Sequence, residues 1–272
     1  MATSYLTEAI PKKPEPGAKA VDIAASIVDR IFIYFFALIL LLCLYAIYDA
    51  LMVYREAEVP VAVRNYTQKD SDDRTSEVDF GALKDINSEI VGWIQLDGTD
   101  VDFPITQANN NSFYLSHSYT RDYSLAGSIF LDWRNSGDFS DDYNLVYGHN
   151  MNGEMMFGGL HYYTEASYFE SHRTGRLLTP NQNYDLEVIA ALKTDRMDAK
   201  VYELKYLSNY KNEEIVEYLS KKSAQSRNLD TVAGKQIIAL STCYDKDGGR
   251  VIIFASYGKA KEKTSADNLL LE

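Results

Sequence analysis

Cysteine is nearly absent: the chain of 272 residues has two, Cys43 and Cys243. That count excludes a fold stapled by several disulfides. Basic residues are also few, 27 Lys and Arg against 39 Asp and Glu, for a net charge of -12. A chain this acidic does not hold nucleic acid or an anionic surface by bulk electrostatics. No internal repeat is visible, and 46% hydrophobic with 24% charged residues is ordinary globular composition.

Charge is missing altogether from one stretch. From Ile31 to Tyr48 the sequence reads IFIYFFALILLLCLYAIY, eighteen residues without an ionisable acid or base of the Asp, Glu, Lys or Arg type. As a helix such a run rises about 27 Å, close to a hydrocarbon core of roughly 30 Å. It has no polar face, which argues against a buried core helix. It is longer than the core of a cleaved signal peptide, and no small-residue cleavage site follows it. The expectation is a transmembrane signal anchor over 31–54. Lys12, Lys13, Lys19 and Arg30 precede it, so the positive-inside rule puts the N-terminus in the cytoplasm. Residues 1–30, with Pro11, Pro14 and Pro16, read as a disordered cytoplasmic tail. Residues 55–77 read as a linker, 78–258 as an extracellular domain, and 259–272 as a polar tail.

With Cys43 in the span, Cys243 has no partner within the chain. An exported domain with one cysteine holds an intermolecular disulfide, an inert buried thiol or a reactive one. The neighbourhood of Cys243 narrows this. KQIIALSTC (235–243) and RVIIFASY (250–257) read as two antiparallel strands joined by a polar loop. Strand ends so joined lie roughly 5 Å apart, so Arg250 reaches the neighbourhood of Cys243. Its permanent cation favours a thiolate and binds an acyl oxyanion. Of the four histidines, His149 alone closes an apolar run, NLVYGHN (144–150), before a Gly, Asn and Met loop. That is a rim position, where function concentrates. His117, His161 and His172 read as surface or packing residues.

The rest of the domain is strand-like. VGWIQLDGTDVDFPI (91–105) reads as a hairpin about Asp97-Gly98. GSIFLDW (127–133), GRLLTP (175–180) and YDLEVIAALKT (184–194) read as further strands. Apolar residues at Phe80, Leu83, Ile86 and Ile90 predict a helix over 78–90, and NEEIVEYLSKKSAQS predicts another over 212–226. The expected fold is mainly β: a closed, mostly antiparallel barrel of about seven to eight strands. One helix precedes it and one is inserted before the penultimate strand. The acidic runs DFSDDY (138–143) and DKDGG (245–249) lack calcium-loop spacing and read as solvated turns.

ALSTC followed by Arg250, and NLVYGHNM before them, resemble the sortases, the cysteine transpeptidases of Gram-positive cell surfaces. The resemblance covers roughly 78–258, and the two helices resemble class B. Two departures are plain: Ala239 stands where threonine is usual, and the Cys-to-Arg loop is short for class B. The second bears on any contact of that loop with substrate. The resemblance implies that Cys243 attacks the threonine carbonyl of an NPxTx-like sorting motif. His149 acts as general acid and base, and Arg250 holds the substrate and oxyanion. Ser241, Thr242, Asn111 and Leu115 are the implied substrate-binding residues, with Tyr206 and Tyr210 as further groove candidates. The implied partners are sorting-signal-bearing surface proteins and an amine of a peptidoglycan precursor (lipid II), or a pilin lysine as acceptor. No cofactor, metal or nucleic acid is implied. A different class stays open on these residues: a surface scaffolding or binding domain with a structural thiol. So does a secreted cysteine hydrolase.

Overall fold

The structure, a computed structural model, describes residues 17–57, 67–68, 77–203, 212–232, 234–243 and 248–258, and of Cys243 the backbone only. Tyr206, Tyr210, residues 244–247 of the Cys-to-Arg loop and the polar tail from residue 259 lie outside the described residues. The chain divides into two compact units, Met1–Met52 and Val53–Glu272.

Helix α1 (Ala18–Ala57), 40 residues long, makes up the described part of the first unit except Gly17, and its residues from Val53 on belong to the second. Within it Lys19–Arg55 is long and apolar enough to cross a membrane, and its large apolar side chains stand exposed. The helix starts at Ala18, so residues 18–30, expected in a disordered tail, are helical. The small and aliphatic residues of AKAVDIAASIV favour helix and carry no proline to stop it.

After the end of α1, the next described elements of the second unit are the two-residue strands β1 (Thr67–Gln68) and β2 (Glu77–Val78), which pair with each other. Helix α2 (Phe80–Ile86) follows, capped by Asp79, whose carboxylate accepts from Ala82 N at 3.0 Å. It is shorter than the expected 78–90. Asn87 turns extended at its C-terminus and spends its side chain on Tyr114 and Tyr119, so Ile90 opens a strand instead of closing a helical face.

The barrel comprises β3 (Ile90–Leu96), β4 (Asp102–Thr106), β5 (Ile129–Leu131), β6 (Tyr143–Gly148), β7 (Thr174–Leu178), β8 (Asn183–Asp195), β10 (Gln236–Cys243) and β11 (Gly249–Tyr257). A two-residue strand, β9 (Gln225–Ser226), adds to β8. The strand order is β11-β10-β6-β5-β4-β3-β7-β8, and β11 also pairs with β8, so the sheet closes. Closure removes the exposed edges of these eight strands. Helix α3 (Ala166–Ser171) follows a 3-10 segment between β6 and β7; α4 (Ala199–Tyr202) and α5 (Asn212–Lys222) lie between β8 and β10. The second helix ends before the expected 226 because Gln225 and Ser226 pair with Ala191 and Ala190.

Most pairings are antiparallel, but β10 runs parallel to β6 and β4 runs parallel to β5. Alternation sorts the strands into two buried faces. Ile238, Leu240, Val251 and Ile253 fill the barrel interior. Ile237, Ala239, Ile252 and Phe254 point outward, where Val201 of α4 and Ile215 and Leu219 of α5 cover them. Strands buried on both faces need continuous apolar runs, which is what β10 and β11 supply. Each fully buried Ile or Leu of α5 contributes about 1.5–3 kcal/mol to holding that cover in place.

Candidate active site

The parallel pairing of β6 and β10 sends both C-terminal ends to the same rim of the barrel. Thr242 is opposite Gly148, so His149 and Cys243 are the next residues out on neighbouring strands. Strand β11 returns antiparallel from that rim, with Arg250 opposite Cys243. Three strands therefore deliver a histidine, a cysteine and an arginine side by side. Tyr147 and Ser241 share one strand parity with residues 149 and 243 and lie on the outer face of the barrel, beside the cover of α4.

A groove of about 440 Å³ opens there. It is lined by Asn111, Leu115, His149, Ser241, Thr242 and Arg250, together with Phe130, Arg134, Tyr147, Arg196 and Tyr202. The described side chains expected at a site thus meet in one concavity, and Cys243 ends the strand along its floor.

His149 is half-buried, with Nε2 2.8 Å from the backbone oxygen of Leu115. A carbonyl only accepts, so Nε2 carries the proton and Nδ1 is the ring's other, basic nitrogen in the neutral form. The fit around this contact is close. Gly127 has a φ of +60°, and a Cβ there would stand 2.6 Å from Tyr114 O, 2.9 Å from Leu115 O and 3.0 Å from His149 Cδ2. Behind the histidine, Phe157 N donates to His149 O at 3.0 Å and anchors the following loop.

Asn111 is held from two sides. Its Nδ2 donates to Asp132 Oδ2 at 2.8 Å, and its Oδ1 accepts from Trp133 N at 2.9 Å. Asp132 is fully buried just past β5 and is the hub of a network. Arg134 reaches it through Nε and Nη2, both at 2.7 Å, and Tyr147 OH donates to it at 3.0 Å. Burial alone would push the Asp132 carboxyl up. The hydrogen bonds from Arg134 and Asn111 outweigh that and hold it below the usual carboxylate range. The same carboxylate, after burial itself, pushes the Tyr147 phenol upward, so Tyr147 stays a neutral donor. On the other wall, Tyr202 OH and Ser241 Oγ lie 2.8 Å apart. Arg250 is half-buried, with Nη1 donating to the carbonyls of Gly248 at 3.3 Å and Gly249 at 3.1 Å.

The other histidines are occupied by packing. His117 stacks on Phe113 at 4.0 Å, His172 stacks on Tyr168 at 3.8 Å, and His161 Nδ1 is bonded to Gly158 O at 2.7 Å. The DFSDDY turn satisfies itself: Asp138 accepts from Ser136 and Ser140, and Asp141 from Asn135 and Ser136. Among the described residues no group of three His, Cys, Asp or Glu is placed to hold a metal. Asp132, Arg134, Tyr147 and Tyr202 were not singled out from the sequence. The one available signal was Asp132 itself, a carboxylate directly after the apolar run Ile129-Phe130-Leu131.

No family model matches the chain. Individual proteins do. A sortase B of Listeria monocytogenes is 32% identical over 174 residues, which is 63% of this chain and 70% of that protein. A solved class B sortase of Streptococcus pyogenes involved in pilus biogenesis is 35% identical, with a TM-score of 0.60, over 66% of this chain and 98% of that one. A solved Bacillus anthracis protein similar to sortase B is 33% identical, with a TM-score of 0.64, over 76% and 98%. Barrel and relatives together define a cysteine transpeptidase of the sortase type. Within that class the chain belongs to the class B sortases.

Proposed function

We propose that the chain is a membrane-anchored transpeptidase that cleaves an NPxTx-like sorting motif after threonine and passes the protein to an amine. One observation carries this reading: Cys243 lies opposite Arg250 in register, His149 leaves the adjacent parallel strand at the same rim, and His149 and Arg250 line one groove.

The sulfur of Cys243 attacks the threonine carbonyl carbon as thiolate, and the C–O π pair moves onto oxygen. Arg250 stabilises that oxyanion and holds the substrate backbone. Collapse expels the nitrogen of the following residue, which takes a proton from His149 and leaves as an amine. The thioacyl bond now joins the threonine to Cys243. An incoming amine gives its proton to His149 and attacks the same carbonyl, and the thiolate departs. Net, one amide bond is exchanged for another. Asn111 and Leu115 receive the motif's early residues, and Ser241 and Thr242 line the approach to the sulfur. The acceptor is an amine of a peptidoglycan precursor. The Streptococcus pyogenes relative involved in pilus biogenesis supports a second reading, with a pilin lysine as acceptor. Residues 31–54 anchor the enzyme, with residues 1–30 cytoplasmic, 55–77 as linker, and the catalytic domain (78–258) outside with its tail (259–272).

The test uses the full chain in detergent micelles with an Asn-Pro-Gln-Thr-Asn peptide. Intact mass should show a peptide adduct on Cys243 that disappears, with transfer product, when an amine is added. An adduct resolved only by water would make the protein a hydrolase. An unreactive Cys243 would leave a binding domain with a structural thiol.

A further inference from the structure

The residues that meet the sorting motif stand on two walls of the groove. Asn111 and Leu115 belong to the connection from β4 to β5, and Ser241 belongs to β10 beside Tyr202, the last residue of α4. Helix α4 has four residues, too few to be stable as a helix on its own. Tertiary contacts therefore set where it sits. Val201 is fully buried in the outer apolar cluster, Tyr143 OH donates to Val201 O at 3.2 Å, and Arg134 Nη2 donates to Tyr202 O at 3.2 Å.

Arg134 reaches the other wall as well. Its Nε and the same Nη2 grip Asp132, and Asp132 Oδ2 in turn accepts from Asn111 Nδ2. The residues Asn111, Asp132, Arg134, Tyr202 and Ser241 thus form one chain across the groove, with links of 2.8, 2.7, 3.2 and 2.8 Å. Tyr147 OH bonds to it between the walls. The chain is fixed to the barrel at Asp132, whose backbone N donates to Leu145 O at 2.8 Å.

The same pair settles how Asn111 faces a ligand. An ionised carboxylate only accepts and Trp133 N only donates, so the Asn111 amide cannot turn over. One of its two N–H donors and one of its oxygen lone pairs are committed, which fixes the order of the remaining donor and acceptor. Stability alone does not call for charge at such a place, since well-packed apolar residues often serve a buried site as well as an ion pair does. What an apolar pair lacks is direction. A planar guanidinium meets both carboxylate oxygens and still donates to a carbonyl beyond them.

We propose that Arg134 and Asp132 are positioning residues for transfer: their ion pair is a crosspiece that holds the two walls of the groove at the spacing and amide orientation that seat the sorting motif. The pair acts through Asn111 on one side and through Tyr202 and Ser241 on the other. The proposal rests on the proposed function and deepens it.

Two rates test it on full-length protein in detergent. One is kcat/KM for transfer of an Asn-Pro-Gln-Thr-Asn peptide to an amine. The other is alkylation of Cys243 by iodoacetamide, read by peptide mapping so that Cys43 is counted separately. Arg134→Lys keeps the counter-charge of Asp132 but not the fork. It should lower kcat/KM by about ten- to a hundredfold, mostly through KM, while alkylation stays within about twofold of the parent. Asp132→Asn with Arg134→Gln removes both charges together. Its kcat/KM should stay as low as that of Arg134→Lys even where its Tm recovers. Normal kcat/KM in Arg134→Lys, or a double variant that regains transfer together with Tm, overturns the crosspiece. Alkylation that falls in parallel with transfer overturns it too, since the damage then reaches the cysteine rather than the walls. A parent enzyme that does not transfer the peptide at all overturns the motif reading itself, and the crosspiece with it.

Discussion

Asp132→Asn tests the polar hub behind the groove. The substitution keeps the shape of the side chain and removes its charge. Asp132 has a side chain of 0% exposure and Arg134 one of 19%. Its two oxygens accept from Arg134 N, Nε and Nη2, from Asn111 Nδ2 and from Tyr147 OH. An amide turns one accepting oxygen into a donor facing donors, and it leaves the Arg134 cation desolvated without a counter-charge. Breaking a largely buried pair from one side costs about 3–5 kcal/mol. For a domain of this size that is a fall in Tm of roughly 6–20 °C. Thermal unfolding of the full chain in detergent, followed by tryptophan emission, reads it, since Trp93 is fully buried in the barrel core and is exposed when the barrel opens. Removing both charges in Asp132→Asn with Arg134→Gln should recover part of the loss. A Tm within about 2 °C of the parent for Asp132→Asn would refute the account of Asp132 as an ionised hub. The sign with pH is fixed by the same geometry. The folded pKa of Asp132 lies below its unfolded value. Its contribution is therefore fully present above the ordinary carboxylate range and is lost as pH falls through the depressed folded value.

Gly127→Ala should cut turnover by at least about tenfold, because a Cβ at 2.6–3.0 Å from Tyr114 O, Leu115 O and His149 Cδ2 must displace the histidine's acceptor; an unchanged pH-rate profile would show that the Leu115 contact does not set the histidine. Arg250→Lys should lose most activity in the peptide-transfer assay, since a point charge does not replace a planar fork; normal turnover would remove Arg250 from the site. His161→Ala and His172→Ala should leave turnover near the parent level while His172→Ala lowers thermal stability through its lost stacking; a large loss of turnover in either would mean that His149 is the wrong histidine.

Some of this protein was determined locally and is legible in the chain. The uncharged run from Ile31 to Tyr48 needs no partner to read as a long apolar helix. Continuous apolar runs mark β10 and β11 and an apolar alternation opens β8, patterns that a short strand carries without help from its neighbours. Cys243 and Arg250 meet across a loop of six residues, so their pairing follows from an antiparallel turn alone. Helix ends were less legible: Asn87 stops α2 because its side chain is drawn to Tyr114 and Tyr119, which are near only in the fold. The parallel registers of β6 with β10 and β4 with β5 were likewise decided by the tertiary structure, since parallel strands are joined by long connections that carry no local signal. That choice places His149 on the rim beside Cys243, and the same closure puts Asp132 under Asn111. Periodicity tells a residue which face it occupies. Which strand lies beside it is settled only when the barrel closes and every buried polar group finds its partner.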